Sequence, residues 1–465
     1  MKISPREVDL DSRINGDPEL FLDPWDVLDP GEVVPPVELA QLEASGAAHE
    51  AAVSELEGIS ARARVLISDE YAGIADILRD AAACPDPWVG PDPTLDPTWL
   101  DPQGRSAAAV RAERRNIAVR AATLDLAVRL GMSEMMVSTR AAHADTLRER
   151  CPKIWEAFRA GRVPTQNATA AAQQAGTLPA RDREAWAKFD ELLQGSATTL
   201  TPGKFRTRAR VVRERVHPEH IDERHTRAMD DRNVWFQAEA DGMASLTVFG
   251  PADKVLATYR HADAHARHLR AHDGEERTLA QLRADIVLDV LAAGAAGAAQ
   301  AAGSGTWRSR ASVAITVPVM TLLGHDDEPA TLDGYGPIDT ETARRLAGEA
   351  SSWVRILTHP VTGTVLDVDR TTYRVPKALS RWLGVRDQVC TGPGCTRSAR
   401  DCDIDHRIDW QYGGKTADTN LSPLCERHHV IKTKSKWVLY RDETTGAKWW
   451  VSPTSLTVPV DPPPF

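Results

Sequence analysis

Between residues 390 and 429 the chain gathers four cysteines, three histidines and several carboxylates, and these separate into two sets by the chemistry they can serve. Cys390 and Cys395 bracket TGPG, a tight knuckle that can aim two thiolates at one ion. Cys425 and His428 follow as an i, i+3 pair, which shares one face of a helix. Together they form a Cys3His group, a closed tetrahedral donor set suited to structural Zn2+. Cys402 is the spare. It can replace His428 as a ligand or be a small buried residue, and the second is the expectation. Asp405, His406, Asn420 and His429 remain, and structural zinc has no need of them. Hydrolysis of a phosphodiester does use such groups. A histidine titrates near neutrality and can take a proton from water. A carboxylate and an imidazole can hold a divalent cation that stabilises the leaving oxygen. An asparagine amide can fix the orientation of the base.

These groups need elements to place them. Asp405 and His406 are neighbours, which point to opposite faces of a strand, so they can divide two tasks where a strand ends in a bend. Asn420 stands just before LSPLCERHHVIK and is placed to cap a helix there. That helix must carry His429 back to the strand end, with YGG at 412–414 supplying the turn between.

The rest of the 465-residue chain reads as mostly helical and ordinary in composition, at 42% hydrophobic and 26% charged, long enough for two or three domains. Six cysteines, four of them clustered, favour metal over disulfides in a cytoplasmic chain. No 18-residue uncharged apolar run and no signal-peptide core is present, so the expectation is a cytoplasmic protein that does not enter membranes. The net charge of −10 argues mildly against a general nucleic-acid binder, but residues 370–440 carry thirteen Lys/Arg against seven Asp/Glu, and charges act over roughly 8–10 Å at physiological salt.

Residues 1–35 are acidic, rich in Asp-Pro and read as a disordered tail. Helical periodicity covers about 37–83. Four Asp-Pro pairs in 85–102 predict a long irregular loop without helix, and helices resume near 107. Breaks are expected near Gly131, Cys151-Pro152 and Gly161, and LGMSEMMVSTRAAHADTL reads as a packed helical pair in preference to a DNA-gripping helix-turn-helix. Alternation over 234–250 with Asp241-Gly242 at its centre predicts a hairpin. Two helices follow at about 252–271 and 276–293, then a flexible Ala/Gly connection over 291–305. A strand is expected at 311–317, a helix at about 339–350, a second hairpin at about 353–369 and a short helix at about 376–383.

At this point the residues resemble a known family. Asp405-His406, Asn420 and His429, with intervals of 14 and 9 between His406, Asn420 and His429, resemble the HNH endonucleases, together with GG after the first histidine, NLSPLC and the flanking cysteine pairs. DGM, RTLAQLRAD, HPVTG, RDQVCTGPGC and WWVSP extend the resemblance over about 36–453, to the actinobacterial group that joins a helical domain of unknown function 222 to a C-terminal HNH domain. The resemblance implies a mainly α, α+β chain: a large helical N-terminal domain at 36–330, a connecting helix and hairpin at 331–375, a small zinc-braced ββα-metal HNH domain at 376–452 and a Pro-rich tail at 453–465. It implies His406 as general base, Asn420 as the residue orienting it, and Asp405 and His429 as ligands of a catalytic divalent ion, with Cys390, Cys395, Cys425 and His428 on structural zinc. Some family members carry a further histidine four residues after the last marker; here that position is Thr433. Two protein ligands, or three if Asn420 contributes, plus waters then suit Mg2+ or Mn2+, so the expected cofactors are structural Zn2+ and Mg2+ or another divalent metal.

The expected function is metal-dependent cleavage of DNA, with RNA as a further candidate substrate, leaving 5′-phosphate and 3′-hydroxyl ends. Arg386, Arg407, Arg427, Lys432 and Lys434 are the candidate phosphate contacts. The alternative is a zinc-finger-like nucleic-acid-binding protein without turnover. Trp410, Trp437, Trp449 and Trp450 are expected in the core, and His261, His265, His268 and His272 on a polar helix face.

Overall fold

A computed structural model describes residues 36–217, 226–301 except 227 and 273, short pieces between 315 and 349, and 375–461. The acidic tail at 1–35 and the hairpin expected at 353–369 lie outside the described residues.

The chain is mainly helical with small antiparallel sheets. It begins with α1 (Pro36–Ala83), a single long helix where the periodicity suggests several. The Asp-Pro segment is not free of helix: it holds α2 (Asp86–Val89) and a 3-10 turn at Pro93–Leu95. Proline is tolerated in a first turn, where its missing N–H has no partner to lose, so Asp-Pro pairs start these turns and also stop them from growing. Next come α3 (Ala107–Leu130), α4 (Glu134–Arg150), α5 (Pro152–Arg159), α6 (Thr165–Gly176), α7 (Arg183–Thr199) and α8 (Pro202–Val216). Ser106 and Ser133 accept hydrogen bonds from the backbone at the starts of α3 and α4, and left-handed Gly131 ends α3, so the expected breaks fall where the caps are. The helical core joins Leu147, Ile154, Phe158, Phe189, Leu193 and Phe205 with a population of alanines that lets the helices approach closely.

The expected first hairpin is present as β1 (Asn233–Ala238) and β2 (Ala244–Phe249), paired antiparallel. Asp241 and Gly242 both take positive φ, the conformation a tight hairpin turn requires. α9 (Ala252–Arg270) and α10 (Leu279–Ala301) pack on each other through Ala262, Ala266, Leu282 and Ile286. The Ala/Gly stretch read as a flexible connection is helix as far as Ala301, since alanine is the strongest helix former and outweighs two glycines there. His261, His265 and His268 are exposed on α9, as a polar face would be, and His272 is exposed just beyond its end. β3 (Ile315–Thr316), β4 (Ala330–Leu332) and β5 (Gly336–Ile338) make a small sheet beside α11 (Thr340–Glu349).

The C-terminal unit opens with α12 (Lys377–Asp387). β6 (Asp403–His406) and β7 (Leu421–Leu424) pair antiparallel, with Asp405 opposite Ser422 and His406 opposite Leu421. α13 (Glu426–Lys434) follows directly, so two strands lead into one helix. Asn420 therefore does not cap the helix. Pro423 cannot continue a helix and takes an outer strand position, and Cys425 becomes the residue before α13. A meander closes the unit: β8 (Val438–Arg441), β9 (Lys448–Val451) and β10 (Thr457–Pro459), the last drawn from the segment read as a Pro-rich tail.

The helical part and the C-terminal unit share α3. Residues 121–127 are all buried, because Ala122, Leu126 and Ala127 enter the helical core while Ala121 and Leu124 enter a second core with Cys390, Leu424, Ile431, Trp437 and Trp450. Trp437 Nε1 donates to the Ala121 carbonyl at 3.1 Å. Thr454 Oγ1 donates to buried Asp125 at 2.8 Å, and Arg129 spans both residues. Trp437 and Trp450 are core as expected. Trp410 is not; it stands exposed on a 3-10 turn.

Candidate functional site

The knuckle, the strand pair and α13 bring Cys390, Cys395, Cys425 and His428 together, with one ligand atom from each lying within 4.8 Å of all the others. His428 turns Nδ1 to the thiols, 3.4 Å from Cys390 Sγ and 3.3 Å from Cys425 Sγ. Backbone N–H groups of Gly392 and Cys425 donate to Cys390 Sγ at 3.4 and 3.3 Å. A Cβ on Gly392 would fall 2.3 Å from His428 Cγ, so the knuckle needs glycine to let the ring in. The titrations are shared. Hydrogen bonds from Cys390, then Cys395, pull the Cys425 thiol far down, and the contacts with Cys390, then Cys425, push Cys395 far up. His428 is held down by burial but raised to about 9 on balance by Cys395 and Cys425. A dication at the centre would draw off the remaining thiol protons, and donor type, number and spacing all fit zinc. Cys402 lies outside the group, its Sγ on the Ser398 carbonyl at 3.2 Å.

The second set sits at the far end of the same strands. Asp405 Oδ1 is 3.2 Å from His429 Nε2, so strand end and helix do bring these two together. Asp405 is nearly enclosed, whereas the His429 side chain is 42% exposed, which leaves the pair open to water and ligand on one side. Lys432, one turn below, places Nζ 2.6 Å from Asp405 Oδ2 and donates to the His406 carbonyl at 2.5 Å. His406 is buried, and burial lowers the pKa of its imidazole below the ordinary value, so the ring is neutral at pH 7. Its Nε2 meets Thr416 Oγ1 at 3.0 Å, and Trp410 stands edge-on at 6.3 Å. No spacing rule pointed to Thr416.

Asn420 staples the loop between the two strands. Its Oδ1 accepts from Ile408 N at 2.9 Å, and its Nδ2 donates to the carbonyls of Ile408 and Lys415, both at 3.0 Å. Its influence on His406 therefore runs through the loop that carries Thr416. Gly414 is required inside that loop, since a Cβ there would lie 1.7 Å from the Ile408 oxygen.

The match to known proteins falls on the helical part and runs into α12: the family model described as "Domain of unknown function (DUF222)" matches residues 103–387. The chain belongs to the DUF222 family. Over 92 residues the chain is 35% identical to "Uncharacterized protein Rv3776", and over 92 residues 36% identical to "Uncharacterized protein Rv2100", both from Mycobacterium tuberculosis (strain ATCC 25618 / H37Rv). Each match is 19% of this chain, and the two are 17% and 16% of the respective relatives, about a sixth of each. No solved structure matches this DUF222 chain. Among the described residues no helix is long and apolar enough to cross a membrane.

The five basic residues singled out for phosphate are all engaged within the chain. Arg386 pairs with Asp387 and donates to the carbonyls of Asp418 and Leu421, which makes it a brace for α12. Arg407 pairs with Glu443 and Lys432 with Asp405. Arg427 and Lys434 reach across to the DUF222 helices, to Glu134 and Glu113 respectively.

Proposed function

We propose that the C-terminal unit of this DUF222 protein is an HNH endonuclease that hydrolyses phosphodiester bonds in DNA with the help of a divalent metal. The observation that carries this reading is the meeting of Asp405 and His429 at the strand end that also carries buried His406, on a β6–β7–α13 frame braced by a separate Cys3His group.

The residues divide the work as follows. His406 takes the proton of the attacking water, and burial keeps its ring in the unprotonated form that this requires. Thr416 fixes the ring through Nε2, and Asn420 fixes the loop that carries Thr416. Asp405 Oδ1 and His429 Nε2 are the atoms that would hold Mg2+ or a similar ion. When bound, that ion would act as a Lewis acid toward the phosphate and the departing 3′ oxygen. The cleaved ends would then be 5′-phosphate and 3′-hydroxyl. Zinc on Cys390, Cys395, Cys425 and His428 would hold knuckle, strand and helix together without entering the reaction.

A second reading is a zinc-braced nucleic-acid-binding module without turnover. It is favoured by Lys432, whose ammonium occupies one oxygen of Asp405 and would weaken any cation bound there. Nicking of supercoiled plasmid by the purified chain with Mg2+, Mn2+, Ni2+ or EDTA, beside His406→Ala, separates the two. The nuclease reading expects metal-dependent nicking that the variant loses while staying folded and zinc-loaded. A folded protein that binds DNA but fails to nick it with any of these metals would favour the module.

A further inference from the structure

We infer that Glu134, on the DUF222 helices, is the outer-sphere acceptor of the zinc-site histidine, so that metal retention and docking of the two parts of the chain are a single coupled equilibrium. This rests on the zinc reading of the Cys3His group and is independent of whether the unit cuts DNA.

His428 presents Nδ1 to the thiols. An imidazole bound through Nδ1 carries its remaining proton on Nε2, and a buried N–H needs an acceptor. His428 is 2% exposed, and its Nε2 lacks a hydrogen-bond partner. The carboxylate facing it is Glu134, with Oε1 3.6 Å away, a few tenths of an ångström beyond a hydrogen bond. The other oxygen of Glu134 is 2.5 Å from Arg427 Nη2, on the residue preceding His428. Arg120, on α3, in turn donates to the Arg427 carbonyl at 3.4 Å.

An acid in the first turn of a helix is common, because the helix dipole favours it there, and α4 begins at Glu134. That preference does not account for the placement. A first-turn acid ordinarily faces water, whereas this side chain is 14% exposed and is aimed at a histidine that follows it by almost three hundred residues in sequence. Ser133 holds the start of α4 through Met136 N, so Glu134 sits on a fixed helical turn. Arg427 anchors one oxygen of Glu134, and the His428 Nε2 is buried without a hydrogen-bond partner, so a small closing movement toward the other oxygen, Oε1, would satisfy it.

Outer-shell carboxylates orient a ligating histidine and raise its basicity, and their loss typically weakens metal binding by roughly 10–100-fold. Linkage then requires zinc to tighten the docking of α3 and α4 by the same factor that docking tightens zinc.

The test uses the full-length chain and does not read nuclease activity. Zinc is titrated out with a chromophoric chelator from the wild type, Glu134→Gln, Glu134→Ala and Arg427→Ala, and amide exchange of residues 117–127 is followed with zinc loaded and stripped. Glu134→Ala should release zinc at roughly tenfold lower chelator or less. Glu134→Gln, which keeps an acceptor oxygen but not the charge, should fall between it and the wild type. Stripping zinc from the wild type should raise exchange in 117–127, and Glu134→Ala should remove that response. A merely structural role for Glu134 would lower thermal stability and leave chelator competition unchanged. Wild-type zinc affinity in both Glu134 variants, or exchange in α3 indifferent to zinc, would overturn the inference. A wild type that holds no zinc and takes none up would overturn the zinc reading and this inference with it.

Discussion

Asn420 offers a substitution whose outcome depends on which end of its amide faces which group. The side chain is buried and makes three hydrogen bonds, one accepted from Ile408 N and two donated to the carbonyls of Ile408 and Lys415. Asn420→Ala removes all three and leaves the Ile408 N–H and carbonyl to find water in a part-buried loop, while the Lys415 carbonyl keeps the Ala417 N–H at 3.0 Å. At about 1 kcal/mol net for each bond, the loss is about 2–4 kcal/mol once unpaired groups are counted. Asn420→Asp is the nearest isostere and by shape alone should be mild. It is not expected to be, because its second oxygen would meet two carbonyl oxygens 3.0 Å away, where only a donor is tolerated. Asp should therefore destabilise at least as much as Ala, and lowering the pH, which protonates the acid and restores one donor, should recover part of the loss. Urea unfolding of the zinc-loaded chain, followed by the fluorescence of buried Trp437 and Trp450, measures this, with unchanged m-values as the check that only stability moved. If the unit cuts DNA, plasmid nicking should fall in both variants, because the loop that seats His406 against Thr416 loosens. An Asp variant within about 0.5 kcal/mol of wild type, inside the range of an ordinary surface change, would show that the staple does not hold the loop.

Three further outcomes follow from the same geometry. Gly392→Ala puts a methyl 2.3 Å from His428 Cγ, and its zinc content by elemental analysis should fall well below one per chain; wild-type content would mean the knuckle has room to yield. Lys448 is buried against Ser422, and burial pulls its pKa down to about 8, so the unfolded chain binds this proton more tightly than the folded one. Unfolding free energy should therefore rise with pH between about 8 and about 10.5, by up to the order of 3 kcal/mol, and Lys448→Met should flatten that rise; parallel pH profiles for the two proteins would refute it. Trp437→Phe keeps most of the packing but removes the indole bond to the Ala121 carbonyl, which retains its helical partner, and should lower stability by about 0.5–1.5 kcal/mol with faster amide exchange in α3; exchange equal to wild type would mean that bond does not hold the two parts together.

The Cys3His group was legible because its spacing is set by local geometry: a four-residue knuckle and an i, i+3 pair each place two ligands without help from the rest of the fold. The hairpin at Asp241-Gly242 was legible for the same reason, since two positive φ values in sequence leave few residue choices. Misreadings arose where one residue type serves opposite ends. Proline stops helices and also begins them, so the Asp-Pro segment hid α2, while Pro423 displaced the start of α13 from Asn420. What the sequence did not show was the docking. Thr123 and Asp125 sit within a run of small and apolar residues on α3, and 121–127 are buried on all sides. The polar residues in it were the available signal, because a buried aspartate demands partners, and Thr454 and Arg129 are those partners.

The docking also constrains how a polyanion could reach the site. Arg427 and Lys434 were singled out as phosphate contacts, yet both spend their charge on carboxylates of the DUF222 helices, Glu134 and Glu113. A phosphate can recruit them only by displacing those acids, and each displacement removes an ion pair that ties α13 to α3 and α4. Nucleic acid would then be gripped at the expense of docking, and tight docking would keep these cations out of play. Lys415 is differently placed: it is exposed on the loop that Asn420 staples, next to Thr416, where a phosphate could approach His406 without breaking the contact between the two parts. If the unit binds a phosphodiester, Lys415→Ala should weaken binding and reduce its salt dependence by about one phosphate contact while leaving chelator-measured zinc affinity unchanged. Lys434→Ala should instead speed exchange in α3 before it alters DNA affinity. The reverse pattern, with Lys434 governing affinity and Lys415 silent, would place the nucleic acid along the seam between the two parts and not over the loop.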